Sequence, residues 1–268
     1  MTSVENTRTK MSGCFCIPAV DFFIFSDILY LTQERDKPEF KERNNVHSLT
    51  KQFIDFCERK FNLADSAEYN YQSLSVCIID CVYSLRAKYY RVTVPVVDRY
   101  AALYLNGNRN NPGDTVSMLI QHIKEKGGAE KFADEVLKNH QKIGGKSQIS
   151  KAQVCYQLAL YLSYLHIETL EDFRNFESPE LLEIVIRAVR GIGDAGTNYL
   201  FMLAGDPNRC KPDVHIHRCI KDSCGCDVSN EDCQILFSEA VKHLNVKYPD
   251  LTVRSLDGII WRKYQSAQ

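Results

Sequence analysis

The segment from Ser178 to Arg218 constrains this chain more than any other. Ser178-Pro179-Glu180 supplies a side-chain cap, a first-turn proline and a first-turn acid, and Leu181, Leu182, Ile184, Val185, Ala188 and Val189 follow at helical spacing. Gly191-Ile192-Gly193 then stops that helix, because glycine takes positive φ without steric cost, a geometry expected at Gly193. A second helix opens near Asp194, carries Tyr199, Leu200, Met202 and Leu203, and ends at Gly205. Helix, glycine turn and helix make a helix-hairpin-helix over 178–205. The free amides of the turn and the positive end of the second helix form a place for one backbone phosphate, bound without regard to base sequence. Gly191, Ile192, Gly193, Gly196 and Thr197 are the residues expected there. Many helices end in Gly-X-Gly for structural reasons alone. The turn gains weight from Lys211-Pro212-Asp213-Val214-His215-Ile216-His217-Arg218, where an aspartate after proline opens a further helix.

With these residues in view, the chain resembles the helix-hairpin-helix DNA glycosylase superfamily, whose members include endonuclease III, MutY and the alkyladenine glycosylases. The resemblance is carried by Ser178–Arg218 and is looser over Gln72–Tyr104, Lys151–Leu165 and Leu256–Tyr264. It implies that Asp213 is the catalytic carboxylate and that His215 helps position the helix or the DNA. Ala195, eighteen residues before Asp213, stands where the bifunctional members carry the lyase lysine. The resemblance therefore implies a monofunctional enzyme that hydrolyses the N-glycosidic bond of a damaged or mispaired base and leaves the abasic strand intact. Lys211, two residues before Asp213, is the one nearby amine in a position to substitute. Asp213 also fits a plain helix N-cap, and the two roles are compatible. The alternative function is a non-catalytic helix-hairpin-helix DNA-binding protein.

The rest of the chain reads as helix. Amphipathic or apolar segments fall at Pro18–Thr32, which could also hold a short strand, and at His47–Phe61, Gln72–Arg86, Val94–Leu105, Asp114–Glu125, Ala129–Asn139, Ala152–Leu165, Asn230–Asn245 and Leu256–Tyr264, and strand signals are otherwise sparse. The expected fold is all-α: two helical sub-bundles with a DNA-binding cleft between them. Residues 1–16 form a lead-in, 17–68 join 206–268 in one subdomain, and 69–205 form the other, ending in the hairpin. The net charge is −1, which argues against non-specific coating of nucleic acid but not against a local basic cleft. Two acid-free windows supply candidates: Cys81–Val97, with Tyr83, Ser84, Arg86 and Lys88, and Val136–Ile167, with Lys142 and Lys146. A run of charge is more often a solvated face. Trp261, among Ile259 and Ile260, reads as core.

Eleven cysteines, an odd number and scattered, suggest free thiols in a reducing cytoplasmic or nuclear compartment. Cys219, Cys224, Cys226 and Cys233 do not reproduce the spacing of the iron–sulfur cluster that several members of the superfamily carry. No cofactor or metal is expected, although zinc held by Cys210, Cys224, Cys226 and Cys233 with nearby histidines stays open. The expected partner is double-stranded DNA with a lesion or mismatch, bound by a monomer, with no membrane contact.

Overall fold

The computed structural model describes residues 43–65, 70–143 and 148–266. The expectations for 1–16, for Pro18–Thr32 and for Lys146 lie outside them. Among the described residues the chain is mostly helical, with α1 (Arg43–Lys60), α2 (Leu74–Ser84), α3 (Tyr89–Tyr104), α4 (Val116–Glu125), α5 (Ala129–Phe132), α6 (Lys151–Tyr164), α7 (Leu170–Arg174), α8 (Pro179–Ala188), α9 (Asp194–Ala204), α10 (Val214–Cys224), α11 (Asn230–Leu244) and α12 (Val253–Gln265). The only strands described, β1 (Lys142–Ile143) and β2 (Ile149–Ser150), pair antiparallel, Lys142 opposite Ser150. No described helix is long and apolar enough to cross a membrane.

A helix that is apolar on every side has to sit inside, and α2 does so: all eleven of its residues are buried. The α3, α6 and α9 helices pack around it. Ser73 starts α2, accepting the Val76 amide at 3.0 Å and donating to the buried Asp114 at 2.7 Å. Leu74, Ile78, Ile79 and Val82 are fully buried, and such aliphatic side chains contribute about 1.5–3 kcal/mol each on burial. This hydrophobic core runs from Tyr71 to Ala204. A second one joins α1 to α10, α11 and α12 through Phe53, Cys57, Phe237, Leu256 and Ile260. The Phe53 and Phe237 rings meet at 5.1 Å between centroids.

Two helices depart from their expected form. The α3 helix starts at Tyr89, not Val94, and keeps Pro95 inside it. Proline removes an internal hydrogen bond, but Thr93, Val96, Val97, Tyr100 and Ala101 make one buried stripe across it, so packing outweighs the local defect. The segment after Gly128 forms α5 and then widens into a π turn, Ala133–Leu137, that ends at Lys138 with φ of +49°. The wider turn keeps both Val136 and Leu137 buried.

Candidate functional site

The loop between α9 and α10 carries Asp213 to its position. Gly205 ends α9 in the left-handed conformation, φ +109°. The backbone then runs past α11 and α12: the Cys210 amide donates to Gln234 at 3.0 Å and the Lys211 amide to Asp257 at 2.8 Å. Asp213 caps α10, its Oδ1 accepting the His215 and Ile216 amides at 2.8 and 3.2 Å. Its Oδ2 has no hydrogen-bond partner among the described residues.

Asp213 lines a cavity of about 430 Å³, walled by the end of α2, the start of α3, α9 and α12. One wall is aromatic. The half-buried Trp261 ring meets Tyr89 edge-on at 5.4 Å, Tyr90 at 6.1 Å and His215 at 6.4 Å. Trp261 is therefore not core: Ile259 and Ile260 are buried, but the indole, further round α12, faces the cavity. Rings held this way can stack on a flat ligand.

Another part of the lining carries ionisable groups. Lys211 is only 9% exposed; its Nζ donates to Ser84 Oγ at 3.0 Å and lies 3.7 Å from the centre of the Tyr199 ring. Beneath it, the buried Asp80 accepts three tyrosine hydroxyls: Tyr71 at 2.8 Å, Tyr89 at 2.7 Å and Tyr199 at 3.0 Å. Burial raises the Asp80 carboxyl above its usual range, and the three hydroxyls and Lys211 oppose the shift. Asp257, 5% exposed, is pushed up to about 8, first by burial and then by the charge of Asp213. One carboxyl in this cavity thus holds its proton at neutral pH beside another that caps a helix with its oxygen, the kind of division that assigns acid and base roles.

The glycine turn is built differently from expectation. The residue at positive φ is Gly191, at +97°, where a Cβ would stand 2.9 Å from Ile143 Cγ2. Gly193 has φ of −105° and caps α9, exposed, with nothing within 4 Å of a Cβ placed there. Ile192 is buried. Gly196 and Thr197 point inward and present nothing at the surface: the Gly196 carbonyl accepts the Cys81 thiol at 3.2 Å, and Thr197 is fully buried. The Cys81 contact sets Gly196 against α2. Asp194, in the first turn of α9, pairs with Arg187 at 2.8 Å and accepts from Asn230 at 3.2 Å. The β1 strand brings the exposed Lys142 next in sequence to Ile143, the residue against Gly191.

The first basic window divides. Tyr83 is fully buried, its hydroxyl 3.4 Å from the Asn139 carbonyl, so it belongs to the core and not to a cleft surface. Ser84 lines the cavity, while Arg86 and Lys88 are exposed and lie outside its lining. In the second window Lys151 is buried, its ammonium donating to the carbonyls of Tyr83 and Leu85 and to Gln141 at 3.0, 2.7 and 2.9 Å. It closes the end of α2 and is not part of a basic surface.

Residues 51–266 match a family described as a domain of unknown function, DUF8548. The chain belongs to that family. No curated protein and no solved structure matches it.

The matched region contains every cavity residue named above. Asp257, Tyr199, Asp80 and Trp261 are cavity or subcavity residues that sequence reasoning missed. One signal was available: Asp257 and Trp261 are four apart and share a helix face with Arg254. The described cysteines are free thiols, and no group of three or more histidine, cysteine, aspartate or glutamate side chains suited to a metal forms among the described residues. His217 meets Asn230 at 2.9 Å and lies 3.7 Å from the Cys233 sulfur.

Proposed function

We propose that this protein is a monofunctional DNA glycosylase that excises a damaged or mispaired base from double-stranded DNA. The observation that carries the reading is Asp213: a helix-capping carboxylate with one oxygen unpaired, on the wall of an aromatic-lined cavity. It follows a two-helix element whose glycine turn keeps Gly193 open to an approaching phosphate. The helix-hairpin-helix would hold the duplex backbone through the turn and the first amides of α9. The target nucleotide would swing out into the cavity, at a cost of a few kcal/mol that a lesion or mismatch reduces. Stacking against Trp261 and Tyr89 would offset part of that cost.

In the cavity the C1′–N bond lengthens and positive charge grows on the sugar. The Asp213 carboxylate stabilises that charge and orients water toward C1′. The neutral Asp257 carboxyl donates a hydrogen bond or its proton to the departing base. Water adds its oxygen to C1′, and the products are the free base and an abasic strand. Ala195 offers no amine on the hairpin, so base release runs on water.

The test is a screen of duplexes, each with one lesion (uracil, 8-oxoguanine, alkylated purines, mismatches), with abasic sites revealed by hot alkali. Wild-type protein should release at least one base. Asp213→Asn, which keeps shape and capping ability, should lose roughly 100-fold or more in rate while still binding the duplex. Binding without base release from any duplex would favour the non-catalytic DNA-binding alternative.

A further inference from the structure

A second cavity, of about 280 Å³, lies at the opposite end of α9 from the glycine turn. Phe173, Phe176, Phe201 and Leu182 wall it, and the Phe173 and Phe201 rings meet edge-on at 5.1 Å between centroids. No hydroxyl or side-chain amide stands in this lining, so it suits a hydrocarbon ring better than the polar edge of a nucleobase. Its polar side chains are Asp206 and two arginines, which are used very differently. Arg209 is fully partnered: Nε donates to Asp206 at 3.2 Å, Nη1 to Asn198 at 3.1 Å and Nη2 to Glu183. Arg174 is half used. Its Nε donates to the Ala204 carbonyl at 2.5 Å, which satisfies the end of α9 and fixes the guanidinium. Neither Nη group meets an acceptor among the described residues. Gly205 leaves room for this arrangement, since a Cβ on it would stand 3.1 Å from Arg174 Nη2.

We propose that this second cavity binds an aromatic carboxylate, at a site separate from the Asp213 cavity and independent of what that cavity does. The ligand's ring lies against Phe173 and Phe201, where aromatic pairs favour tilted or offset contact. Its carboxylate sits on the two Nη groups of Arg174, the fork geometry in which one guanidinium holds both oxygens at once. A carboxylate fits better than a phosphate dianion. One guanidinium end supplies a single pair of donor groups, and Asp206 in the same lining disfavours a second negative charge. Arg174 is exposed, so the charged end keeps part of its hydration while the ring leaves water. A free aromatic acid and the C-terminal phenylalanine of a peptide present the same two groups, a ring and a carboxylate a short distance apart.

The experiment titrates the full chain with phenylacetate and with its neutral amide, phenylacetamide, followed by saturation-transfer NMR. Phenylacetate should bind saturably, with a dissociation constant of about a millimolar or below. Phenylacetamide should bind about ten-fold more weakly or worse, because it lacks the charge and the second acceptor oxygen. Arg174→Lys, which keeps a cation but has no fork, should weaken phenylacetate by a similar factor. If that variant fails to fold, the contrast of acid and amide on the wild-type chain decides, together with contacts from the probe to the Phe173 and Phe201 ring protons. A tripeptide ending in phenylalanine, with its C terminus free or amidated, separates the two sources. Tighter binding of the free tripeptide than of phenylacetate supports the site with a protein C terminus as its ligand, and the reverse order supports it with a small acid. Equal affinity for acid and amide overturns the proposal, as does phenylacetate binding that is unchanged in folded Arg174→Lys. No binding of any probe also overturns it, and none of these outcomes bears on base excision.

Discussion

Lys151 and Lys211 both bring their ammonium groups to the C-terminal end of α2, and they meet opposite conditions there. Lys151 donates to two carbonyls and a side-chain amide oxygen. Lys211 has one hydroxyl and a ring face, with a cavity in front of it. The two are almost equally buried, 2% and 9% exposed, so burial does not separate them. Saturation of hydrogen bonds does. A charge whose partners are complete holds the fold together, while an incompletely partnered charge beside a cavity is available to a ligand.

The sharpest test of this contrast is pH, because the cavity side also holds Asp257. Its carboxyl is raised from an ordinary 3.8 to about 8. Below about pH 4 it is protonated folded and unfolded, and it contributes no penalty. Between about 4 and 8 the unfolded chain releases the proton and the folded chain keeps it, so stability falls as pH rises, levelling off above 8. The loss across that window is about 6 kcal/mol at most. Asp257→Asn preserves an oxygen for the Lys211 amide and removes the titration. Urea unfolding should find the variant more stable than wild type at pH 8, with the gap closing toward pH 4. Parallel stability curves for the two proteins would show that Asp257 is not held neutral.

Next in size is the pair of lysine truncations. Lys151→Met strands two backbone carbonyls at the end of α2, and should cost about 2–3 kcal/mol in urea unfolding. Lys211→Met strands only a serine hydroxyl that already donates to the Cys81 carbonyl, and relieves the burial of a charge. It should change stability by less than about 1 kcal/mol. Equal losses in the two variants would erase the distinction between a saturated and an open charge.

That distinction marks where the sequence is legible. The caps at Ser178 and Asp213 and the stop at Gly205 are local, set by a residue and its neighbours three or four positions on, and they stand where the pattern puts them. The apolar run of α2 likewise declares its own burial. Contacts that define the cavity are not local. Ser84 and Lys211 meet across 127 residues, and Lys211 reaches Asp257 across 46. Lys151 shows the same limit from the other side. In an acid-free window it reads as surface charge, because nothing in its neighbourhood reveals that the end of α2 needs a cation.

The glycine turn yields the smallest and most discriminating pair of effects. At Gly191 a side chain is wrong twice: φ is +97° and the new Cβ would stand 2.9 Å from Ile143 Cγ2. Gly191→Ala should cost about 1–2 kcal/mol, and any loss of DNA binding there would be confounded with misfolding. Gly193 is the opposite case. Its φ of −105° suits any residue, and nothing lies within 4 Å of the Cβ that alanine would add. Gly193→Ala should therefore leave stability within about 0.5 kcal/mol of wild type. If a phosphate docks against this turn, the added methyl group occupies its approach, and duplex affinity should fall several-fold for damaged and undamaged DNA alike. Titration of both duplexes at two salt concentrations measures this directly. Unchanged affinity in a fully folded Gly193→Ala protein would move the DNA contact away from the turn, and leave Asp213 and its cavity to be explained without it.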